Sequence, residues 1–257
     1  MNTRLLTKSV AATAFLVSSF VLPASADHHG HAIKAAVNHS ERPVADKERD
    51  ENRKPGKVLM FAGVRPGMTI LDVNAGGGYY TEILSHAVGE HGRVYSHNGA
   101  VYWAFMKKAL PDRYADERLG NVKHIHNDKE TIDLPEASLD MAMAVLSYHD
   151  YFFTHEARLG GGHEDVPAVL ASIRKALKPG ASFVIVDHVA PSGSGPADFD
   201  KLHRIDPAFL KAQMADAGFT FVEESDALAN PNDSNDGSPF APEIRGKTNR
   251  FIYKFSK

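Results

Sequence analysis

The stretch Asp72–Tyr80 reads DVNAGGGYY, and its reading organises the rest of the chain. The apolar residues ahead of it, within Thr69 to Ala75 (TILDVNA), read as the end of a buried strand that runs straight into a glycine cluster. Glycines at such a place let the backbone approach a nucleotide-like ligand closely, because no side chain stands between them. Against the pattern acid-x-Gly-x-Gly-x-Gly, Asp72, Gly76 and Gly78 fit, while Asn74 occupies the first glycine position. Asn is among the few residues that enter left-handed backbone conformations, so the turn is expected to survive the exchange.

Outward from this turn, strands and helices alternate. A helix is expected over about 79–88, a second strand over Gly92 to Asn98 and a helix over about 101–110. NVKHIHND (121–128) reads as a third strand, expected at a sheet edge. LDMAMAVLS (139–147) is continuously apolar, as suits a strand covered on both faces. A helix over about 164–177 should stop at Pro179-Gly180, followed by ASFVIVDHV (181–189) as strand five. A helix over 207–217, FTFVEES (219–225) and RFIYKFS (250–256) complete the series. This order predicts an α/β fold, a doubly wound, mostly parallel seven-stranded sheet. Residues 226–249, rich in Asn, Asp, Pro and Ser, read as a lid or a flexible excursion.

The 257 residues suffice for one sizeable core, and a net charge of −3 with no concentrated basic face argues against nucleic acid as a partner. Residues 1–26 have a basic start, an apolar run from Val10 to Leu22 and the ending Ala24-Ser25-Ala26, the pattern of a signal peptide cleaved after Ala26. The run is short for a spanning helix, so no membrane anchor is expected after cleavage, and a periplasmic location follows. With no cysteine there is no disulfide and no lipid-attachment thiol. Residues 27–58 form a polar extension: a histidine-rich, mobile end to about Asn38, then a charged helix from Arg42 to Lys54 stopped by Pro55-Gly56. Its arginines read first as a solvated face, with Arg49 or Arg53 capping an anion as the alternative.

Taken together, DVNAGGGYYTEILS, Asn127-Asp128, ASLDMAMAVLSYHD, LASIRKALKPGASFVIVDH and MADAGFTFVEES resemble, in that order, the landmarks of class I S-adenosylmethionine-dependent methyltransferases. The resemblance covers residues 59–257, and GGGYYTEILS with RGKT narrows it to a group of exported bacterial methyltransferases. It implies the Rossmann-like methyltransferase fold with an antiparallel last strand, and S-adenosyl-L-methionine as cofactor. It also implies that Asp72, Asn74, Gly76 and Gly78 cradle the methionine end, that the residue ending strand two meets the ribose, and that Asp128 reaches the adenine. Strand two ends in Asn98 where an acid is usual. A neutral amide makes weaker bonds than a carboxylate, so about tenfold weaker binding is expected.

Methyl transfer needs positioning, and a base only where the acceptor must lose a proton. His149 and Asp150, at the end of strand four, are the candidate catalytic residues, with His149 the first choice as base. His188, His203 and Arg204 are candidate substrate contacts, though a histidine at a strand end is often a structural residue. RGKT (245–248) either clamps an anion or ties the long loop to the sheet. Cleavage after Ala26 would leave His29 third from a free amine, behind His28, the arrangement of a square-planar Cu(II) or Ni(II) site. His124 and His126 share a strand face at ligand spacing. Two functions follow: methyl transfer to a small-molecule or lipid-like acceptor, or a non-catalytic periplasmic protein that keeps the fold and binds a ligand, metal or partner. The sequence leaves the oligomeric state open.

Overall fold

The computed structural model describes residues 25–126, 131–158 and 160–257, with side chains from residue 29 onward. Seven strands form one sheet: β1 Thr69–Val73, β2 Arg93–Asn98, β3 Val122–His126, β4 Leu139–Val145, β5 Leu177–His188, β6 Thr220–Ser225 and β7 Arg250–Ser256. Their order is β3-β2-β1-β4-β5-β7-β6. Strands β1 to β5 pair in parallel, and β7 runs antiparallel between β5 and β6. The expected class, the antiparallel last strand and the edge position of β3 are all present. Strand order reverses between β1 and β4, so a crevice opens at their carboxyl ends, where the glycine turn lies.

Helices cover both faces. Before the sheet come α1 Ser25–Val37, α2 Val44–Lys47, α3 Asp50–Arg53 and α4 Pro55–Ala62. Then follow α5 Tyr79–Val88, α6 Ala100–Met106 and α7 Leu110–Arg113, and later α8 Val166–Ala176, α9 Pro196–Leu202 and α10 Pro207–Asp216. Successive strand residues point to opposite faces. Ile70, Met143 and Val184 therefore pack with Ile33, Val58, Leu59 and Ile83 on one side. Leu71, Ala142 and Phe183 pack with Val169, Ile173, Leu210 and Met214 on the other.

Three expectations change. The mobile, histidine-rich end is helix α1, which buries Ile33 and Ala36 against the core, one turn apart on a single face. The single charged helix over 42–54 is two short helices, and Lys54 turns left-handed (φ 44°). Pro55 then opens α4 at its first position, where its missing N–H costs nothing. Finally, β5 begins at Leu177 and runs through Pro179-Gly180.

Residues 226–249 carry neither helix nor strand, yet the segment is tied down. Arg204, expected near substrate, is 0 % exposed and holds Asp233 with two bonds of 2.9 and 3.1 Å. It also donates to the carbonyls of Gly237 and Val189. Its donors are spent on fastening this segment to the sheet, which removes it from the substrate contacts and the segment from the flexible excursions. No helix among the described residues is long and apolar enough to cross a membrane.

Candidate active site

Asn74 does adopt the left-handed conformation (φ 49°), and its Oδ1 accepts the Gly99 N–H at 3.1 Å. The side chain that replaces the usual glycine thus ties the β1 turn to the end of β2. Gly76 (φ 60°) and Gly78 (φ 82°) supply the remaining reversals ahead of α5. A Cβ on Gly78 would stand 3.1 Å from Arg113 Cγ in a backbone conformation that already resists side chains.

Asp72 lies behind the turn. It is buried, its Oδ2 accepts the Thr81 hydroxyl at 2.7 Å, and burial pushes its carboxyl up to about 7 against the opposing bonds from Thr81. It therefore fixes the first turn of α5 and does not line the cavity in front. Asn98 is fully buried and engaged with Gly76 on both sides of its amide: Oδ1 accepts the Gly76 N–H at 2.9 Å and Nδ2 donates to the Gly76 carbonyl at 3.1 Å. An acid here would keep the first bond, lose the second, and set a carboxylate against a carbonyl oxygen. Asp128 falls outside the described residues.

In front of the turn is a cavity of about 730 Å³, lined among others by Gly76, Gly77, Tyr79, Tyr102, Leu146 and Arg53. The Arg53 guanidinium stands 4.7 Å over the Tyr79 ring, and among the described residues no carboxylate pairs with it. Arg49 shares this wall and pairs with Asp46 at 2.5 Å. Both arginines thus line a cavity and are not confined to a solvated face. Along the chain alone they look like any other exposed charges.

At the carboxyl edge of β4 and β5, Asp187, His149, Asp150 and His203 form one chain. Asp187, fully buried, accepts the His149 backbone N–H at 3.0 Å and its Nδ1–H at 2.6 Å. On the other side of the ring, Nε2 lies 3.2 Å from Asp150 Oδ1. Burial alone would lower the His149 pKa, but the two flanking carboxylates override it and push it up to about 10. Asp150 is held far below the usual carboxylate range: burial opposes ionisation, and His149, His203 and Tyr102 outweigh it. His203 Nδ1 sits 3.1 Å from Asp150 Oδ1, and the Tyr102 hydroxyl donates to Oδ2 at 2.6 Å. His188 is buried beside this chain, with Nδ1 2.6 Å from the Thr248 hydroxyl, and burial lowers its pKa well below the ordinary value. His149, Asp150 and His203 bring donor atoms within 4.8 Å, close enough for a cation, but mutual hydrogen bonds already account for that spacing.

His124 and His126 are engaged differently from a ligand pair: both stack on Trp103, at 5.5 and 4.2 Å between ring centroids. Tyr102, which reaches from α6 across Gly76 to Asp150, carried no signal in the sequence, since only the fold brings 102 and 150 together.

Residues 71–185, from β1 into β5, match the methyltransferase domain family. The chain has a class I methyltransferase fold. An S-adenosylmethionine-dependent methyltransferase from Aquifex aeolicus superposes with a TM-score of 0.58 at 21 % identity, covering 88 % of this chain and 97 % of that one. Among curated proteins, the ubiquinone/menaquinone biosynthesis C-methyltransferase UbiE of Shewanella piezotolerans is 29 % identical over 135 residues, 52 % of this chain. The match spans about half (48 %) of that relative's length. The methyltransferase fold is also shared by the [4+2]-cyclase SpnF, with a TM-score of 0.54 at 16 % identity over 80 % of this chain and 81 % of that one. Fold alone therefore leaves the reaction to be argued from the site.

Proposed function

We propose that this protein transfers the methyl group of S-adenosylmethionine to a small-molecule acceptor entering at the carboxyl edge of β4 and β5. The observation that carries this reading is the glycine turn, whose Gly76 and Gly77 line the 730 Å³ cavity together with Tyr102 and Met106, within the segment that matches the methyltransferase domain family. That volume is in the range of small-molecule and cofactor sites. The groups around it suit the cofactor. Gly76 and Gly77 allow close backbone approach, and Arg53, which pairs with no carboxylate among the described residues, offers its cation to the amino-acid carboxylate. When bound, S-adenosylmethionine supplies a methyl group made electrophilic by the attached sulfonium.

The remaining work falls to the edge network. His149, charged and bonded through both nitrogens, serves as a strut and is a poor base. Asp150 fixes His203 with Nδ1 protonated, which leaves Nε2 to accept a proton from the acceptor, the logic by which a carboxylate sets the tautomer of a catalytic histidine. The relatives are named C-methyltransferases, and methylation at carbon also requires a proton to leave. The N-terminal signal pattern adds export to this proposal, checked by the intact mass of the protein recovered from the periplasm.

Calorimetry with S-adenosylmethionine on the purified protein is expected to show saturable binding. Arg53→Gln should weaken it about ten- to a hundredfold, as a bond to a charged group contributes about 1.5–3 kcal/mol. Absence of heat at millimolar cofactor would leave the non-catalytic binding reading, which the engagement of Asn98 by Gly76 favours. The same measurement on Asn98→Asp is expected to show affinity reduced by about tenfold, reversing the expectation from sequence, because the carboxylate faces the Gly76 carbonyl. Tighter binding by this variant would show that Asn98 turns to the ribose instead.

A further inference from the structure

We propose that the acceptor carries an anionic group, a carboxylate or a phosphate, and that this group is held in a second, arginine-lined cavity beside the first. The inference rests on the methyl-transfer reading for the acceptor's role, and the anion site itself stands on separate observations. The second cavity, about 380 Å³, is lined among others by Arg49, Arg53, Arg245, Arg250, His188 and Asn52. It shares Arg49, Arg53, Leu146 and Phe240 with the first cavity, so a molecule anchored in one can extend into the other.

The pairing of arginines across the protein singles this place out. Among the described residues four arginines are buried: Arg42, Arg158, Arg204 and Arg250. Arg42 pairs with Asp50, Arg158 with Glu164 and Arg204 with Asp233. Arg250, 6 % exposed, bonds among the described residues only to backbone carbonyls: Asn52 at 2.8 Å, Thr248 at 3.2 Å and Gly246 at 3.3 Å. Among the described residues no carboxylate lies in ion-pair contact with Arg250, Arg53 or Arg245, and the one acid lining the cavity, Glu48, is exposed. A buried guanidinium without a counter-charge is costly unless something fills that role. Burial lowers the pKa of Arg53 and of Arg250, and in each case a neighbouring guanidinium adds to the effect: Arg49 for Arg53, Arg53 for Arg250. The cavity is therefore electropositive and walled by planar forks that match carboxylate or phosphate oxygens.

The position gives the anion a purpose. His188 lines this cavity and its ring lies 5.7 Å from that of His149, while Phe240, which lines both cavities, lies 5.2 Å from His203. An acceptor anchored on Arg250 and Arg245 thus has its other end directed to the network at Asp150 and His203. The RGKT segment supplies Arg245 to the cavity and Thr248 to His188, so it serves both as clamp and as tie.

Thermal denaturation of the full protein with sodium phosphate, and separately with sodium succinate, against sodium chloride at matched ionic strength, tests the site. A saturable rise in Tm with one of the two beyond chloride is expected, phosphate or succinate identifying which group the site prefers. Arg250→Gln should lower the apparent anion affinity at least tenfold, and Arg245→Gln, at an exposed position where folding is not at stake, at least threefold. Both variants should bind S-adenosylmethionine within threefold of wild type, which separates failure of this site from failure of the methyl-transfer reading. No response beyond chloride, an unchanged response in Arg245→Gln, or loss of cofactor binding in place of anion binding would overturn the proposal.

Discussion

Asp187→Ala is expected to lose about 3–5 kcal/mol of stability, because removing one partner of a buried charge pair leaves the other uncompensated. Asp187 is fully buried and accepts three bonds, from the His149 ring at 2.6 Å, the His149 N–H at 3.0 Å and the His188 N–H at 2.7 Å. Alanine strands all three donors where water does not reach. The loss should also depend on pH. His149 is pushed up to about 10, above its ordinary value of about 6.5. The charged imidazole therefore contributes stability that is fully present below about pH 6.5 and is lost as pH rises through about 10. In Asp187→Ala only Asp150 remains beside the ring, so the decline between these limits should shrink. Urea denaturation at pH 6 and pH 9.5 measures both effects. A variant as stable as wild type at pH 6, or one with an unchanged pH slope, would show that His149 is neutral in the native protein. Asp187→Asn keeps one acceptor oxygen and should fall between the two.

This network also marks where the sequence stopped being legible. Strand positions were legible because the apolar runs of β1, β4 and β5 are long and bounded by Gly, Pro and Asn. The glycine turn was legible because backbone geometry constrains residue type, and Asn74 bears this out with φ 49°. Charged side chains carry no such constraint. The cation of Arg53 and the ion-paired cation of Arg204 look alike in a sequence, yet the fold points one at a cavity and locks the other to Asp233. Helix α1 escaped notice for a related reason: three histidines obscured the Ile33 and Ala36 stripe that docks it. The roles of His149 and His203 could not be separated either, because only the three-dimensional arrangement shows both nitrogens of His149 taken by carboxylates.

His203→Asn is expected to lower methyl transfer by about 10²–10⁴-fold, the usual contribution of a positioned acid or base, while leaving affinity for S-adenosylmethionine within a factor of about two. Asparagine is the informative replacement. His203 closes α9 in the left-handed conformation (φ 50°), which asparagine tolerates and alanine does not, so backbone strain is kept out of the result. Release of S-adenosylhomocysteine during incubation with a deproteinised metabolite extract provides the rate whatever the identity of the acceptor. A structural role for His203 would move the rate and the cofactor affinity together. If the rate survives His203→Asn and collapses in Tyr102→Phe, the proton leaves through the Tyr102 hydroxyl, which donates to the other Asp150 oxygen at 2.6 Å. Either way Asp150 is the shared anchor, since one of its oxygens holds His203 and the other holds Tyr102.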